Sequence, residues 1–261
     1  SMIFAPHAPY TVADDSFREI RLLANELDTQ IHMHVHETAS EISASQKRHA
    51  RRPLQRLDEL GLLTPLLAAV HMTQLTAGEI PLLASRGVSV VHCPESNLKL
   101  ASGFCPIADL AAAGINIALG TDGASSNNDL DMFGEMRSCA LLAKGVAQRA
   151  DAAPAATVLG MATLNGAKAL GLGDRIGSLV TGKEADVICV DLSAAATQPV
   201  YDPVSQLVYA TSRDQVSDVW VAGRQLLADH QPLVADAPAI LARAESWRAR
   251  LSAARGSVAH D

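Results

Sequence analysis

Cysteine, aromatic side chains and positive charge are all scarce in this sequence, and each scarcity narrows what the chain can be. The four cysteines among 261 residues, Cys93, Cys105, Cys139 and Cys189, are widely spread and form no C-x-x-C pair. That argues against a disulfide framework and predicts core thiols in a reducing compartment. Aromatics make up only 3%, so the core has to be built from Ala, Leu, Val and Ile. A formal net charge of -7 argues against a nucleic-acid surface, which needs clustered positive charge. The one basic run, Lys47, Arg48, His49, Arg51 and Arg52, is expected to be a solvated helix or loop face. No apolar run approaches the ~20 residues of a membrane span and no signal peptide opens the chain, so a cytoplasmic protein without a membrane partner is expected.

What is present is an alternation of short apolar runs with helical patterns. Strands are expected at Met2–Ala5, Gln30–Val35, Leu67–His71, Val88–His92 and Ile115–Leu119. Between them, Phe17, Ile20, Leu23, Ala24 and Leu27 recur at helical spacing behind Asp14 and Asp15. Pro53 opens a segment with Leu54, Leu57 and Leu60 on one face, and Pro106 and Gly114 bracket another. Thr76-Ala77-Gly78-Glu79 reads as a capping box, with Gly87 ending the helix it begins. Apolar strands alternating with helices predict a parallel sheet buried on both faces. A β/α barrel and an open doubly wound sheet both satisfy that pattern.

The polar residues favour the barrel. Each strand leads into His or Asp at or just past its carboxyl end: His7, His34, His71, His92 and Asp122. Barrel enzymes draw catalytic groups from the ends of several strands, whereas an open sheet concentrates them at one switch point. Beyond a helical stretch from Asp131 to about Gly171 the pattern changes. Residues 174–211 show turn residues, a strand at Ala185–Val190 and no helical periodicity, and Val216–Leu227 reads as a hairpin. The tail places Ile240, Ala244, Trp247 and Leu251 on one face of a closing amphipathic helix. Three regions are therefore expected: 1–173, a β/α barrel portion; 174–236, a small β unit; and 237–261, a C-terminal helix.

His32-Met33-His34-Val35-His36-Glu37 is the densest chemical cluster. Alternation in a strand puts His32, His34 and His36 on one face if the strand runs that far. Asp122, leaving an apolar strand in Gly120-Thr121-Asp122-Gly123, is costly to bury unless paired or metal-bound. By itself such an Asp is as well suited to capping the next helix. With His34 it supplies the oxygen and nitrogen donors that zinc takes, and His71 adds an imidazole at the same edge. His7 sits in a stiff turn between Pro6 and Pro9. His92 is expected to be structural.

Taken in order, P-H-x-P-Y, H-x-H-x-x-E-T, A-x-x-H, H-x-P-x-S-N-L-K-L and G-T-D-G-A-x-S-N-N resemble the amidohydrolase superfamily. The match is to its branch of adenosine-thioether (5-methylthioadenosine/S-adenosylhomocysteine) deaminases, guanine deaminase and triazine hydrolases. Ser96–Leu100 and Gly120–Asn128 are the most specific pieces, and Gly182–Val187 and Val219–Arg224 are similar to the family's small β-sandwich. The resemblance implies a distorted (β/α)8 TIM barrel, here about strands 4–8, with part of that composite sandwich. It implies one divalent metal, zinc by preference, and a purine nucleoside substrate, with self-association into a homo-oligomer.

It also implies roles. His34 and Asp122 would be metal ligands, and Asp122 would also take a proton from the attacking water. Glu37 would protonate the ring nitrogen beside the carbon under attack. His71 would hydrogen-bond the nucleophile and the developing tetrahedral centre. His7 would reach the ribose or thioether side, and Ser126 would line the pocket. The pattern departs from the family in one respect: the H-x-H pair of the first barrel strand is absent ahead of His32-Met33-His34, as are three strands. A chain lacking roughly the first third of the enzyme is therefore expected. The alternative, with His32 and His34 as the metal pair of a complete chain, is weaker. Other activities on the same scaffold are guanine or pterin deamination and triazine dechlorination. A non-catalytic scaffold subunit would be marked by lost metal ligands, which His34, Glu37, His71 and Asp122 argue against.

Overall fold

The computed structural model describes residues 2–258, with side chains described as far as residue 253. It divides into two units. The first takes the chain as far as Lys183 together with Leu192–Arg213; the second takes Glu184–Asp191 and the chain from Asp214 onward. Residues 174–183 and 192–213, expected in the small β region, thus belong to the first unit.

The first unit is built on a four-stranded parallel sheet in sequential order: β1 (Ile31–Val35), β2 (Leu67–His71), β3 (Ser89–His92) and β4 (Ile117–Leu119). The expected strand at Met2–Ala5 is reduced to one parallel bridge, Phe4 to Ile31. Phe4 still exchanges backbone hydrogen bonds with Gln30 and His32, and His7 accepts from His34 N–H. Prolines at 6 and 9 have no N–H to extend that ladder. In β1, Ile31, Met33 and Val35 are buried while His32 and His34 are partly open, and β2 is buried throughout.

Helices connect and cover these strands. They run α1 (Asp14–Glu26), α2 (Ala39–His49), α3 (Pro53–Glu59), α4 (Glu79–Arg86), α5 (Pro94–Lys99), α6 (Ile107–Ala112), α7 (Ala124–Asn127), α8 (Met132–Ala147), α9 (Ala155–Ala162), α10 (Leu164–Ala169) and α11 (Pro203–Tyr209). Leu54, Leu57, Leu83, Leu110 and Val158 are among the helical side chains buried in a core of almost purely aliphatic groups. The long helical stretch expected after Asp131 is three helices, because Pro154 and Thr163 interrupt it. The helix α11 contradicts the expected lack of helix in 174–211. Asp202 caps it by accepting from Val204 N–H at 3.0 Å, with Pro203 in its first turn. The basic run closes α2, where cations suit the helix dipole, and Arg51 and Arg52 pair with Glu59 and Glu79.

The second unit is a four-stranded antiparallel sheet: β5 (Val187–Val190), β6 (Val216–Val221), β7 (Arg224–Ala228) and β8 (Gln231–Pro232). The expected hairpin turns at Ala222 and Gly223, whose φ of 49° and 77° give the two-residue primed turn that suits strand twist. Helix α12 (Ala237–Val258) follows. Its expected apolar face is not covered: Ile240, Trp247 and Leu251 are all exposed. Cys93, Cys105 and Cys139 are buried free thiols, and Cys189 is an exposed one. No described helix is long and apolar enough to cross a membrane.

Candidate metal centre

The carboxyl edge of the parallel sheet gathers three of the expected residues. One ligand atom each from His34, His71 and Asp122 lies within 4.8 Å of the others, and this is the group among the described residues that could hold a metal ion. His34 Nε2 and Asp122 Oδ1 are 3.7 Å apart. Two donors each about 2.1 Å from one zinc ion can be at most about 4.2 Å apart, so this pair suits direct coordination. The histidine rings stand 5.1 Å apart between centroids.

The backbone is bent to bring them there. His71 has φ 76°, and Met72 N–H turns back to the Val70 carbonyl at 3.2 Å. That is a γ-turn of the strained kind, at the point where β2 delivers its imidazole. Asp122 has φ 60° and His36 φ 54°. Left-handed non-glycine residues at three strand ends mark the edge where strain is held by surrounding structure.

Each group has a second partner that orients it. His71 Nδ1 pairs with Asn97 Oδ1 at 2.8 Å, which leaves Nε2 facing the site, 3.9 Å from Glu37 Oε2. Asp122 Oδ2 accepts from the Ser96 hydroxyl at 2.8 Å and the Ser126 hydroxyl at 2.5 Å, leaving Oδ1 toward His34. Burial pushes the Asp122 carboxyl up, but those two hydroxyls and nearby His71 outweigh it and hold it below its ordinary value. Burial and the neighbouring His71 lower His34, so a neutral imidazole with a free lone pair is favoured. Asp122 does not cap the following helix; that position falls to Gly123.

Glu37 leaves β1 through a turn fixed by Glu41. The buried Glu41 carboxylate accepts from His36 N–H at 3.1 Å and Glu37 N–H at 2.8 Å, while Thr38 Oγ1 accepts from Glu41 N–H. Thr73 donates its hydroxyl to the Glu37 carbonyl at 2.6 Å. Neither Glu41 nor the Ser96 and Asn97 contacts were assigned a role from sequence. Thr38-x-x-Glu41 is a capping box that could have identified the first, but nothing in Ser96-Asn97 states which side chains they meet.

The other histidines divide differently. His7 is exposed, bonded through Nδ1 to Thr11 Oγ1 at 3.1 Å, with its ring edge-on to His34 at 5.5 Å. His32 shares the face of His34 but does not belong to the metal-capable group, against the reading of the two as a pair. His36 does not share that face at all, because β1 ends at Val35 and the left-handed turn swings its ring into the core. There it is fully buried, and Nε2 accepts from Leu54 N–H at 3.2 Å. His92 is buried too, with burial pulling it down to about 3.

Comparison with known proteins places this geometry. Residues 1–226 match the model of the amidohydrolase family. A relative from Teredinibacter turnerae named 5-methylthioadenosine/S-adenosylhomocysteine deaminase is 54% identical over 252 residues, covering 97% of this chain and 57% of its own length. The chain thus spans little more than half of that relative. A zinc-bound structure described as an adenosine deaminase from Xanthomonas campestris superposes with a TM-score of 0.95 at 58% identity, covering 97% of this chain and 58% of the other. A zinc complex of atrazine chlorohydrolase from Arthrobacter aurescens superposes at 0.88 with 27% identity, covering 93% and 53%.

Proposed function

The chain belongs to the amidohydrolase family, and from that membership we propose that it forms part of a zinc-dependent hydrolytic deaminase of adenosine thioethers. The substrates would be S-adenosylhomocysteine and 5′-methylthioadenosine, and the products the inosine analogue and ammonia. In this reading the four-stranded parallel sheet, with the Phe4 bridge ahead of it, supplies about strands 4–8 of a distorted (β/α)8 barrel. The antiparallel sheet, from Glu184–Asp191 and the chain from Asp214, is part of the composite β-sandwich, and the first unit is the barrel portion.

The observation that carries the proposal is the convergence of His34, His71 and Asp122 at one sheet edge, with Glu37 3.9 Å from His71. His34 and Asp122 would hold the metal. When bound, zinc is a Lewis acid that makes a hydroxide nucleophile available near neutral pH. Asp122, kept ionised by its two serine hydroxyls, takes the proton that the attacking water gives up. Attack on the amino-bearing ring carbon breaks aromaticity and puts charge on the adjacent ring nitrogen. Glu37 protonates that nitrogen. His71, oriented by Asn97, hydrogen-bonds through Nε2 to the tetrahedral centre as it forms. The C–N bond then breaks, and ammonia departs with a proton relayed from the carboxylates. His7 and Ser126 flank this site, toward the sugar and toward Asp122 respectively.

The test measures ammonia release and loss of the adenine chromophore by the intact protein with S-adenosylhomocysteine, methylthioadenosine, adenosine and guanine. Turnover of the thioethers is expected, and Glu37→Gln should lower kcat by about 10²–10⁴-fold, the usual worth of general acid catalysis, with zinc still bound. Stoichiometric zinc without turnover of any adenosine would overturn the assignment and move it to guanine, pterin or triazine substrates.

A further inference from the structure

One buried acid has no part in the chemistry above. Glu135, in the first turn of α8, is fully buried, yet it makes no ion pair among the described residues. Burial, with Glu95 nearby, pushes its carboxyl up to about 8. Such a group is costly to keep, because a buried carboxyl must be desolvated in either protonation state. Its contacts give a reason for its presence. Oε2 accepts from Glu95 N–H at 3.2 Å, and Oε1 accepts from Asn127 Nδ2 at 2.6 Å.

These two partners stand on separate segments that both lead to the metal centre. Glu95 immediately precedes Ser96 and Asn97, which bond Asp122 and His71. Asn127 immediately follows Ser126, the second hydroxyl on Asp122. Asn127 is itself fixed, since its Oδ1 accepts from Leu130 N–H at 2.7 Å. Helix α8 is pressed close at this point: a Cβ on Gly134 would stand 3.0 Å from Glu95 Oε1, an approach that only glycine allows without displacing the carboxylate. Ser138, one turn on, donates its hydroxyl to the same Glu95 oxygen at 2.9 Å.

We propose that Glu135 is a positioning residue for the metal centre, tying the turn that carries Ser96 and Asn97 to the loop that carries Ser126. Through that tie it holds the two hydroxyls on Asp122 and the amide on His71 in mutual register. The inference rests on the reading of His34, His71 and Asp122 as a zinc centre, but it concerns atoms one layer behind them.

Geometry supplies a test that separates positioning from simple support of the fold. In Glu135→Gln the oxygen can still receive Glu95 N–H, but the amide nitrogen then faces the donor Nδ2 of Asn127. Asn127 cannot turn to accept without giving up Leu130 N–H. Asn127→Asp added to Glu135→Gln reverses the polarity, so that the introduced glutamine amide donates to a carboxylate whose other oxygen keeps Leu130. On the intact protein, zinc loss to a chelator and the kcat and KM of deamination are measured, with melting temperature alongside. Glu135→Gln should speed zinc loss and lower kcat by about tenfold, the low end of what outer-shell partners contribute, with KM little changed. The added Asn127→Asp should restore most of both. The proposal is overturned if zinc retention and kcat stay at wild-type values in Glu135→Gln, or if both fall and the pair does not recover. Zinc retention reads this tie even with no substrate turned over, so failure of the deaminase reading would show separately, as normal zinc dependence without ammonia.

Discussion

His34 and His36 sit two residues apart and have opposite fates. The first lies on the open side of β1 with a carboxylate 3.7 Å away; the second is sealed in the core as the acceptor for a backbone N–H. His71 and His92, each the last residue of its strand, are both buried, yet only His71 belongs to the metal-capable group. What separates them is the backbone and the second nitrogen, not the residue type. His71 is turned at φ 76° toward the metal-capable group and its Nδ1 is held by Asn97, so one nitrogen is committed and the other is presented. His36 is turned at φ 54° into the core, where burial outweighs the Glu79 carboxylate 3.9 Å from its Nδ1 and disfavours the charged ring. In His71 a side-chain neighbour fixes one nitrogen while the other faces Glu37 and the metal-capable group, the arrangement that suits an imidazole to ligation or hydrogen-bonding at a reacting centre.

The sharpest way to break that comparison is to remove the neighbour. Asn97→Ala leaves the His71 ring in place but frees its tautomer and tilt. Loss of such a partner should cost about 10–100-fold in kcat or zinc affinity, read by ammonia release and chelator competition. Unchanged values would mean that the γ-turn alone holds His71, and that Asn97 serves another purpose.

Next in size is the buried counterpart. His36→Phe keeps volume in the core but leaves Leu54 N–H without its acceptor. The expected loss is about 1–3 kcal/mol of stability, the cost of one unsatisfied buried donor, measured by denaturant unfolding, with kcat unchanged. The acid limb gives an independent check. Burial lowers His36 from 6.5 to about 4 in the folded chain. Between those values the unfolded chain takes up a proton that the folded chain refuses. Its contribution is therefore complete above about pH 6.5 and is lost as pH falls toward 4. In His36→Phe the stability of the fold should decline less steeply over that window. An equal decline in both proteins would place the acid sensitivity elsewhere.

This contrast was only half legible in the sequence. The motifs brought out His34, His71, Asp122 and Glu37 because each ends a strand or follows one closely, and alternation put His32 and His34 on one face correctly. The same alternation put His36 on that face only if the strand ran that far, and it stops at Val35. Nothing local signals the left-handed residue that ends β1. Ser96 and Asn97 each lie 26 residues from their partners, Asp122 and His71, and Glu135 lies 40 residues from Glu95 and 8 from Asn127. Contacts of that kind follow from how β3, β4 and α8 pack, which periodicity does not encode. The helix α11 was missed for a related reason: at seven residues it is too short to show a 3.6-residue repeat, although Asp202-Pro203 is a sound N-terminal signal. In the tail, helical spacing correctly gave a helix, but spacing alone does not say what an apolar face meets.

The smallest effect is expected at His230, a third kind of histidine. It too has a left-handed backbone, at φ 62°, and with Asp229 at φ 45° it forms the two-residue turn between β7 and β8. Its N–H donates to the Ser217 carbonyl at 2.9 Å, so the turn is held by main chain, while the side chain is exposed. Backbone strain is thus shared with His71 and His36, but among the described residues no neighbour is bonded to this imidazole, and it is exposed. His230→Asn keeps a residue that tolerates the left-handed region, so it should shift unfolding free energy by no more than about 0.5 kcal/mol and leave zinc retention and kcat untouched. A larger change in stability would mean that the ring packs where the fold leaves it open. A change in kcat would be more damaging, because strain alone, without an orienting partner, would then be enough to mark a histidine as part of the chemistry.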